Sequence, residues 1–182
     1  MAVSIKALSE SELTAMRRFL DRYYRKSFMV KPGSTFDKSF GSLIAYWGNQ
    51  SFSKEAVRHK EDILRMIDGL IDVARGEFSD IDRIRKLQER EMRILEKLPR
   101  FRERLKEERN EAVIYKNLWR LLQDMPKLLE ELKKLVSDIS ERDLDLTRIQ
   151  DTRRRFEEML GQEGTLVDNI VHFEERMSKE AA

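Results

Sequence analysis

The sequence predicts an all-α protein with a small helical head, a long coiled-coil-type helix and a short C-terminal helix. Composition is the first reason. Of 182 residues, 38% are charged, while only seven are Gly and three are Pro, a balance typical of long helices and unlike an all-β fold. The second reason is spacing, since apolar residues recur every three or four positions along most of the chain, as on one face of a helix.

The head is predicted to span residues 1–76 and to be rich in aromatic and basic residues. Its first helix opens at Ser9, where Glu12 completes a capping box that satisfies free backbone N–H groups. The run Val30–Ser34 contains Pro and Gly and therefore ends this helix. A short second helix is predicted from Asp37 to Trp47.

A third helix of the head is predicted to begin at the N-cap Ser53 and to stop at Gly76. Its apolar residues are so dense between Ile63 and Ala74 that it must be packed on two sides. Nine of the chain's fifteen aromatic residues lie between Phe19 and Phe52. Because aromatic side chains carry large apolar area, this concentration indicates core packing more than a binding surface.

Residues 79–160 are predicted to form one long coiled-coil-type segment. Two overlapping three-four registers of apolar residues run through it, and they show no slip at Pro99 or Pro126, so both prolines are interpreted as kinks or tight collinear restarts. Ser140 marks the main alternative, a break near residues 138–140. A continuous helix of this length would extend roughly 120 Å.

The apolar stripe of such a rod is longer than the other predicted helices can cover. The stripe must therefore be covered by a second copy of the chain, by another protein, or by the same helix folded back on itself. Of these three, a homodimer is the preferred prediction. The run Gly161–Gly164 is predicted to end the segment, and a C-terminal helix follows at residues 165–179.

The second register supplies the candidate protein interface of the predicted assembly. Arg142 and Arg153 interrupt this apolar seam, which suggests that they set the register or the oligomeric state. The candidate interface residues are Leu118, Leu121, Met125, Leu128, Leu132, Leu135, Ile139, Leu146, Ile149, Phe156 and Leu160.

Catalytic and metal chemistry has few residues to use, so no catalytic residue, metal or cofactor is predicted. The chain has no Cys, and neither His59 nor His172 belongs to a paired ligand motif. The Glu-Glu-x-x-Glu pattern at residues 107–111 is half of the magnesium motif of all-α nucleotide pyrophosphatases, but the downstream Glu-x-x-Asp is missing. This pattern is therefore interpreted as a solvated helix face.

Nucleic-acid binding is the alternative function, because the basic residues of the first helix are interleaved with aromatic ones that can stack on bases. Binding of the same helix to a membrane surface ranks below it. The candidate nucleic-acid contacts are Arg17, Arg18, Arg22, Arg25, Lys26 and Lys31.

The leading prediction is a non-enzymatic structural or adaptor protein that assembles with itself or with a protein partner through coiled-coil or helix-bundle contacts. No small-molecule substrate is indicated. The N-terminus lacks the features of a signal peptide and no transmembrane segment is predicted, so the expected location is the cytoplasm. Residues 1–52 carry eight basic and four acidic residues, and residues 126–182 carry ten basic and fourteen acidic, an asymmetry that favours an anionic partner or contact between the two ends.

Overall fold

Helices account for nearly all of the chain that the computed structural model describes, which is residues 10–48, 54–139 and 146–181. No strand occurs in these ranges, so the predicted all-α class is confirmed. The described helices are α1 (Glu10–Val30), α2 (Thr35–Gly48), α3 (Lys54–Glu96), α4 (Arg102–Ser137) and α5 (Leu146–Ala181), with a 3₁₀ turn at Pro99–Phe101 before α4.

The turn between α1 and α2 lies where Pro32 and Gly33 predict it. Gly33 adopts a positive φ of 81°, a backbone conformation that glycine tolerates best. The Ser34 hydroxyl accepts a hydrogen bond from the Asp37 backbone N–H at 3.3 Å, and the Asp37 carboxylate accepts one from the Gly33 N–H at 3.0 Å. These bonds fix the start of α2, whereas the predicted caps at Ser9 and Ser53 lie outside the described residues.

The chain reverses at Pro99, so the prediction of a kink there is wrong. The N–H groups of Lys97 and Leu98 donate to carbonyls three residues earlier, which tightens the end of α3. Leu98 is extended, with φ −120° and ψ 93°, as residues before proline prefer. A two-residue link and one 3₁₀ turn are enough to reverse the chain here.

As a result, α3 and α4 form an antiparallel hairpin in place of the predicted rod. Contacts between them pair rising residue numbers on α4 with falling numbers on α3: Arg109–Glu96 at 3.4 Å, Trp119–Asp82 at 3.1 Å and Lys133–Asp68 at 2.7 Å. The apolar stripe that called for a second chain is therefore covered by fold-back, the third of the covers considered above.

Pro126 lies inside α4, which continues through it to Ser137. A proline inside a helix removes one backbone hydrogen bond but does not have to end the helix. Residues 79–160 were predicted as one segment, with a break near residues 138–140 as the alternative; the helix does end there, since Ser137 is the last residue of α4 and Asp138 is its C-cap. Ser140 itself lies outside the described residues.

Gly76 and Gly164 lie inside α3 and α5, so the predicted helix ends at these glycines are wrong. α3 thus runs across the boundary predicted after residue 76, and the predicted C-terminal helix is the second half of α5. The physical reason is close packing against α1. A Cβ at Gly164 would lie 2.8 Å from the Tyr23 hydroxyl, and one at Gly76 would overlap the Arg22 guanidinium.

One apolar core joins all five helices, with Phe19, Phe40, Ile67, Leu122 and Phe156 as members from α1 to α5 in order. The aromatic concentration in the head is divided between this core and the surface. None of the helices in the described part of the chain combines the length and apolarity that a membrane span requires.

Candidate functional site

Most of the predicted protein interface builds the core of its own chain. The buried positions are Leu118, Met125, Leu128, Leu132, Ile139, Ile149 and Phe156. The half-buried positions are Leu121, Leu135, Leu146 and Leu160. The seam therefore holds α4 and α5 within one chain, and its buried members are not open to a partner.

The predicted nucleic-acid contacts on α1 do not share one surface. Lys26 is fully buried. The guanidinium Nε atoms of Arg18 and Arg22 lie 3.7 Å and 3.4 Å from the Asp80 carboxylate. The remaining members of the set, Arg17, Arg25 and Lys31, are exposed. Three of the six predicted nucleic-acid contacts are therefore exposed to solvent away from the Asp80 carboxylate.

Two large aromatic side chains are exposed on α1. Tyr24 is 58% exposed and Phe28 is 66% exposed; being four residues apart, they are neighbours on one helix face. The Lys31 ammonium lies 4.0 Å from the Phe28 ring centroid, a cation–π distance. We define these two residues, together with Arg17, Arg25 and Lys31, as the α1 surface.

A groove of about 440 Å³ adjoins the α1 surface where α1 meets α5. Leu160, a member of the predicted interface, lines it. Its other lining residues are Tyr23, Ser27, Val30, Lys31, Pro32, Asp37, Glu157, Gly161 and Gly164. The α1 surface and this groove share Lys31 and form a continuous region, in which Asp37 and Glu157 of the groove add acidic groups to the apolar and basic ones.

A buried ionic cluster lies directly behind this region. The Lys26 ammonium is 2.5 Å from Glu77 Oε1, 2.7 Å from Glu163 Oε2 and 3.2 Å from the Met125 sulfur. The side chains of Lys26, Glu77 and Glu163 are 0% exposed. These residues link α1, α3, α4 and α5, and we call Lys26, Glu77 and Glu163 the buried triad.

The triad contains two carboxyl groups and one ammonium, and a proton balances it. Burial raises the pKa of Glu77 to about 10, helped by the hydrogen bond and the negative charge of Glu163 and opposed by Lys26. Glu77 Oε2 and Glu163 Oε1 have no donor elsewhere in the described chain. A proton on Glu77 lets it donate to Glu163, while Lys26 neutralises the remaining carboxylate.

Glu77→Gln is expected to remove a pH dependence of stability. In the unfolded chain this carboxyl has a pKa of about 4.3, so the raised folded-state pKa stabilises the wild type fully below that value and progressively less as pH rises toward 10. Gln stays neutral and keeps the donor. The free energy of unfolding of the variant, relative to wild type, should therefore increase by several kcal/mol from about pH 5 to about pH 9, since nearly all of this range lies between the two pKa values.

Urea unfolding across this pH range measures the effect, and Glu61→Gln on the exposed side of α3 is the matched control. The control should track the wild type at every pH. A constant difference between Glu77→Gln and wild type would mean that Glu77 does not retain its proton in the folded state.

Glu108 and Glu111, from the pattern interpreted as a solvated face, are buried at 3% and 1% exposure, so that interpretation is wrong for them. The Arg104 guanidinium lies against Glu91 and Glu108, which offsets part of the buried charge. With Tyr115, these glutamates line a cavity of about 10 Å³, and burial followed by the charge of Glu111 raises the pKa of Tyr115.

Metal-binding geometry is not formed by these carboxylates: in residues 10–48, 54–139 and 146–181, no group of three or more His, Asp or Glu side chains is placed to hold a metal ion. His59 is half-buried and His172 is exposed on a different helix. The predicted separation of the two histidines onto different helices is thus confirmed.

Arg153, predicted to interrupt the seam of an assembly, contacts α2 of its own chain. Its guanidinium pairs with Asp37 and lies 4.8 Å from the Phe40 ring centroid. The Gly33 N–H first, and then Arg153, hold the pKa of Asp37 below its usual value. Arg153 therefore attaches α5 to α2, whereas Arg142 lies outside the described residues.

Comparison with known proteins finds no family model, no curated protein and no solved structure that matches the chain. Its function is therefore inferred from its own geometry.

Proposed function

We propose that the chain is a non-enzymatic adaptor, a helical bundle that binds an acidic, amphipathic helical segment of another protein on the α1 surface. One observation carries this proposal: Tyr24 and Phe28 are exposed side by side on a well-packed helix. Large apolar groups placed together on a surface, with polar groups around them, are typical of protein interaction sites.

Charge complementarity supports an acidic partner. Arg17, Arg25 and Lys31 are exposed on the same stretch of chain as the two rings, with Asp21 as an exposed acidic residue among them. The stretch keeps a net positive charge, so carboxylates on the partner would gain favourable contacts beside an apolar centre. A helix that supplies apolar anchors every three or four residues fits such a strip. The neighbouring groove, which contains the half-buried Leu160, can receive one of those anchors.

A binding role is favoured over catalysis because the ionisable groups of the buried triad are closed to solvent. The buried triad is 0% exposed, so a substrate would have to open the bundle to reach it. A second copy of the chain is also less favoured as the occupant of the seam, because seven of its eleven predicted positions are already buried.

A photo-crosslinking amino acid in place of Phe28 will capture the partner in cells, and the affinity of the purified partner segment will then be measured. Tyr24→Ala with Phe28→Ala should weaken this affinity more than about tenfold, since burial of one aromatic side chain is worth roughly 1.5–3 kcal/mol. Arg25→Glu with Lys31→Glu should slow association and reduce its dependence on salt.

Ile94→Ala with Val113→Ala is the matched control, because these residues are similarly exposed, at 61% and 58%, but lie near the hairpin end. The control should bind like the wild type. Equal affinities for wild type and the Tyr24 and Phe28 variant, or an equal loss in the control, would contradict the proposal.

A further inference from the structure

The hairpin end of α3 and α4 carries an excess of basic residues. Residues 83–120 contain thirteen Lys or Arg and seven Asp or Glu, while the whole chain has a net charge of +2. Two of the seven acidic residues, Glu108 and Glu111, are buried. The surface of this segment is therefore more basic than its composition.

The exposed cations of the hairpin lie in two ordered rows. Those on α3 follow three-four spacing and thus share one helix face; we call them the α3 basic face: Arg83, Lys86, Arg90, Arg93 and Lys97. Those on α4 follow the same spacing, with Val113 as one apolar member, and form the α4 basic face: Arg102, Lys106, Arg109, Lys116 and Arg120.

The α4 basic face borders a groove of about 260 Å³ between the two helices. Arg109 and Lys116 lie on its α4 side and Arg85 on its α3 side, with Met92 and Ala112 among the lining residues. Cations thus flank this groove from both arms of the hairpin, and Glu89, which pairs with Arg85 at 3.8 Å, is the acidic residue of its lining.

We propose that these two faces bind the phosphate backbone of duplex nucleic acid, without reading its sequence. The α3 basic face places five cations along about 21 Å of helix, a length over which one strand of a duplex carries about six phosphates. Six of the ten residues are arginines, whose planar guanidinium groups bind phosphate oxygens in pairs.

The existing ion pairs do not oppose this binding. Lys86 pairs with Asp82 at 2.8 Å and Arg109 with Glu96 at 3.4 Å, and the basic member of each pair is more than half exposed. Exposed pairs of this kind contribute little stability, so a phosphate can replace the carboxylate as the partner of either cation.

Duplex backbone fits better than single-stranded nucleic acid or a membrane. Single-strand binding uses exposed aromatic platforms, but Tyr115 is buried and Phe101 and Trp119 are half-buried. Membrane-surface helices insert an apolar face, whereas the apolar faces of α3 and α4 pack into the core. Ile94 and Val113 are the large apolar side chains exposed in this segment.

Fluorescence anisotropy with a labelled DNA duplex of about 24 base pairs, and with the matching RNA duplex, tests the proposal across a series of salt concentrations. Arg90→Gln, Arg93→Gln and Lys97→Gln together, or Arg102→Gln, Lys106→Gln and Lys116→Gln together, should weaken binding at least about tenfold. Each set should also lower the salt slope by about 2–3. The substituted residues are exposed, and variants carrying Lys in place of Arg90, Arg93 and Arg102 should retain binding.

Arg17→Gln, Arg25→Gln and Lys31→Gln together are the matched control, with the same loss of charge on α1, and should bind within about twofold of wild type. Absence of salt-dependent duplex binding by the wild type overturns the proposal, as does an equal loss in the α1 control. Tighter binding to phosphatidylserine vesicles than to either duplex also overturns it. Because the α1 surface is separate, failure here leaves the proposed adaptor function standing, and the reverse also holds.

Discussion

Lys26→Met is expected to destabilise the protein by about 3–5 kcal/mol, because it leaves the Glu163 carboxylate buried without its counterion. The Lys26 ammonium lies within 2.7 Å of a carboxylate oxygen from each of two helices, and all three side chains are 0% exposed. A loss of this size is a large fraction of the roughly 5–15 kcal/mol that stabilises an ordinary domain. Urea unfolding followed by circular dichroism measures it.

A second substitution separates lost packing from unbalanced charge. Met resembles the apolar stem of Lys in volume, so most of the loss should come from the isolated carboxylate. Glu163→Gln added to Lys26→Met removes that charge and should restore at least about half of the lost stability. Lys38→Met, at an exposed position of α2, should change stability by less than about 0.5 kcal/mol.

If adding Glu163→Gln does not restore stability, the stability lost in Lys26→Met comes from packing and not from the unpaired charge of Glu163. A loss below about 1 kcal/mol in Lys26→Met would instead show that the triad is hydrated in solution, because an exposed ion pair is worth at most about that much. We hypothesise that the triad also fixes the helices in one arrangement, since a slip of any of them by one turn would bury these charges without partners.

The existence of the helices was predicted better than the positions of their ends. A helix end can be predicted only where neighbouring residues in the sequence determine it. The turn at Gly33 was predictable because Pro32, Gly33 and Ser34 impose it within a few residues. Gly76 and Gly164 were misinterpreted as stops because nothing in their neighbourhood reveals that Arg22 and Tyr23 cross above them. Glycine at a helix crossing and glycine at a helix end look alike in sequence.

The buried triad was missed for a different reason. Lys26 lies seven residues after the buried Phe19, Glu77 lies three after Ala74, and Glu163 lies four before Val167, so each occupies a core position of its helix. Grouping Lys26 by charge with its neighbours concealed this spacing. A polar residue on the apolar register of each of three helices was the available signal, but their contact depends on the fold.

Because the chain reverses at Pro99, the apolar residues predicted to form a protein interface have a different role in the structure. With a collinear segment, residues such as Leu132 and Phe156 had to meet another chain; in the folded bundle, Leu132 on α4 and Phe156 on α5 are 0% exposed within their own core. The local sequence around Leu98 and Pro99 permits both outcomes. Fold-back is stabilised by burial of both apolar faces along the hairpin, a tertiary effect that the local spacing does not encode.

Phe156→Ala is accordingly expected to lower the free energy of unfolding by about 3–5 kcal/mol, since it creates a cavity in a packed core. Leu160→Ala is the matched control. Leu160 belongs to the same predicted interface and the same helix, but it is half-buried and lines the groove where α1 meets α5. Its loss should be less than about 1.5 kcal/mol, because its side chain already faces solvent in part.

The dependence of these measurements on protein concentration distinguishes a core from an interface. If Phe156 packs within one chain, the midpoint of thermal unfolding and the effect of Phe156→Ala will be the same across a hundredfold range of about 1–100 µM. If Phe156 packs against a second copy, the wild-type midpoint will rise with concentration, and light scattering will show Phe156→Ala shifting a dimer toward monomer. The second result would support the predicted homodimer, because burial of the Phe156 ring would then require the partner chain.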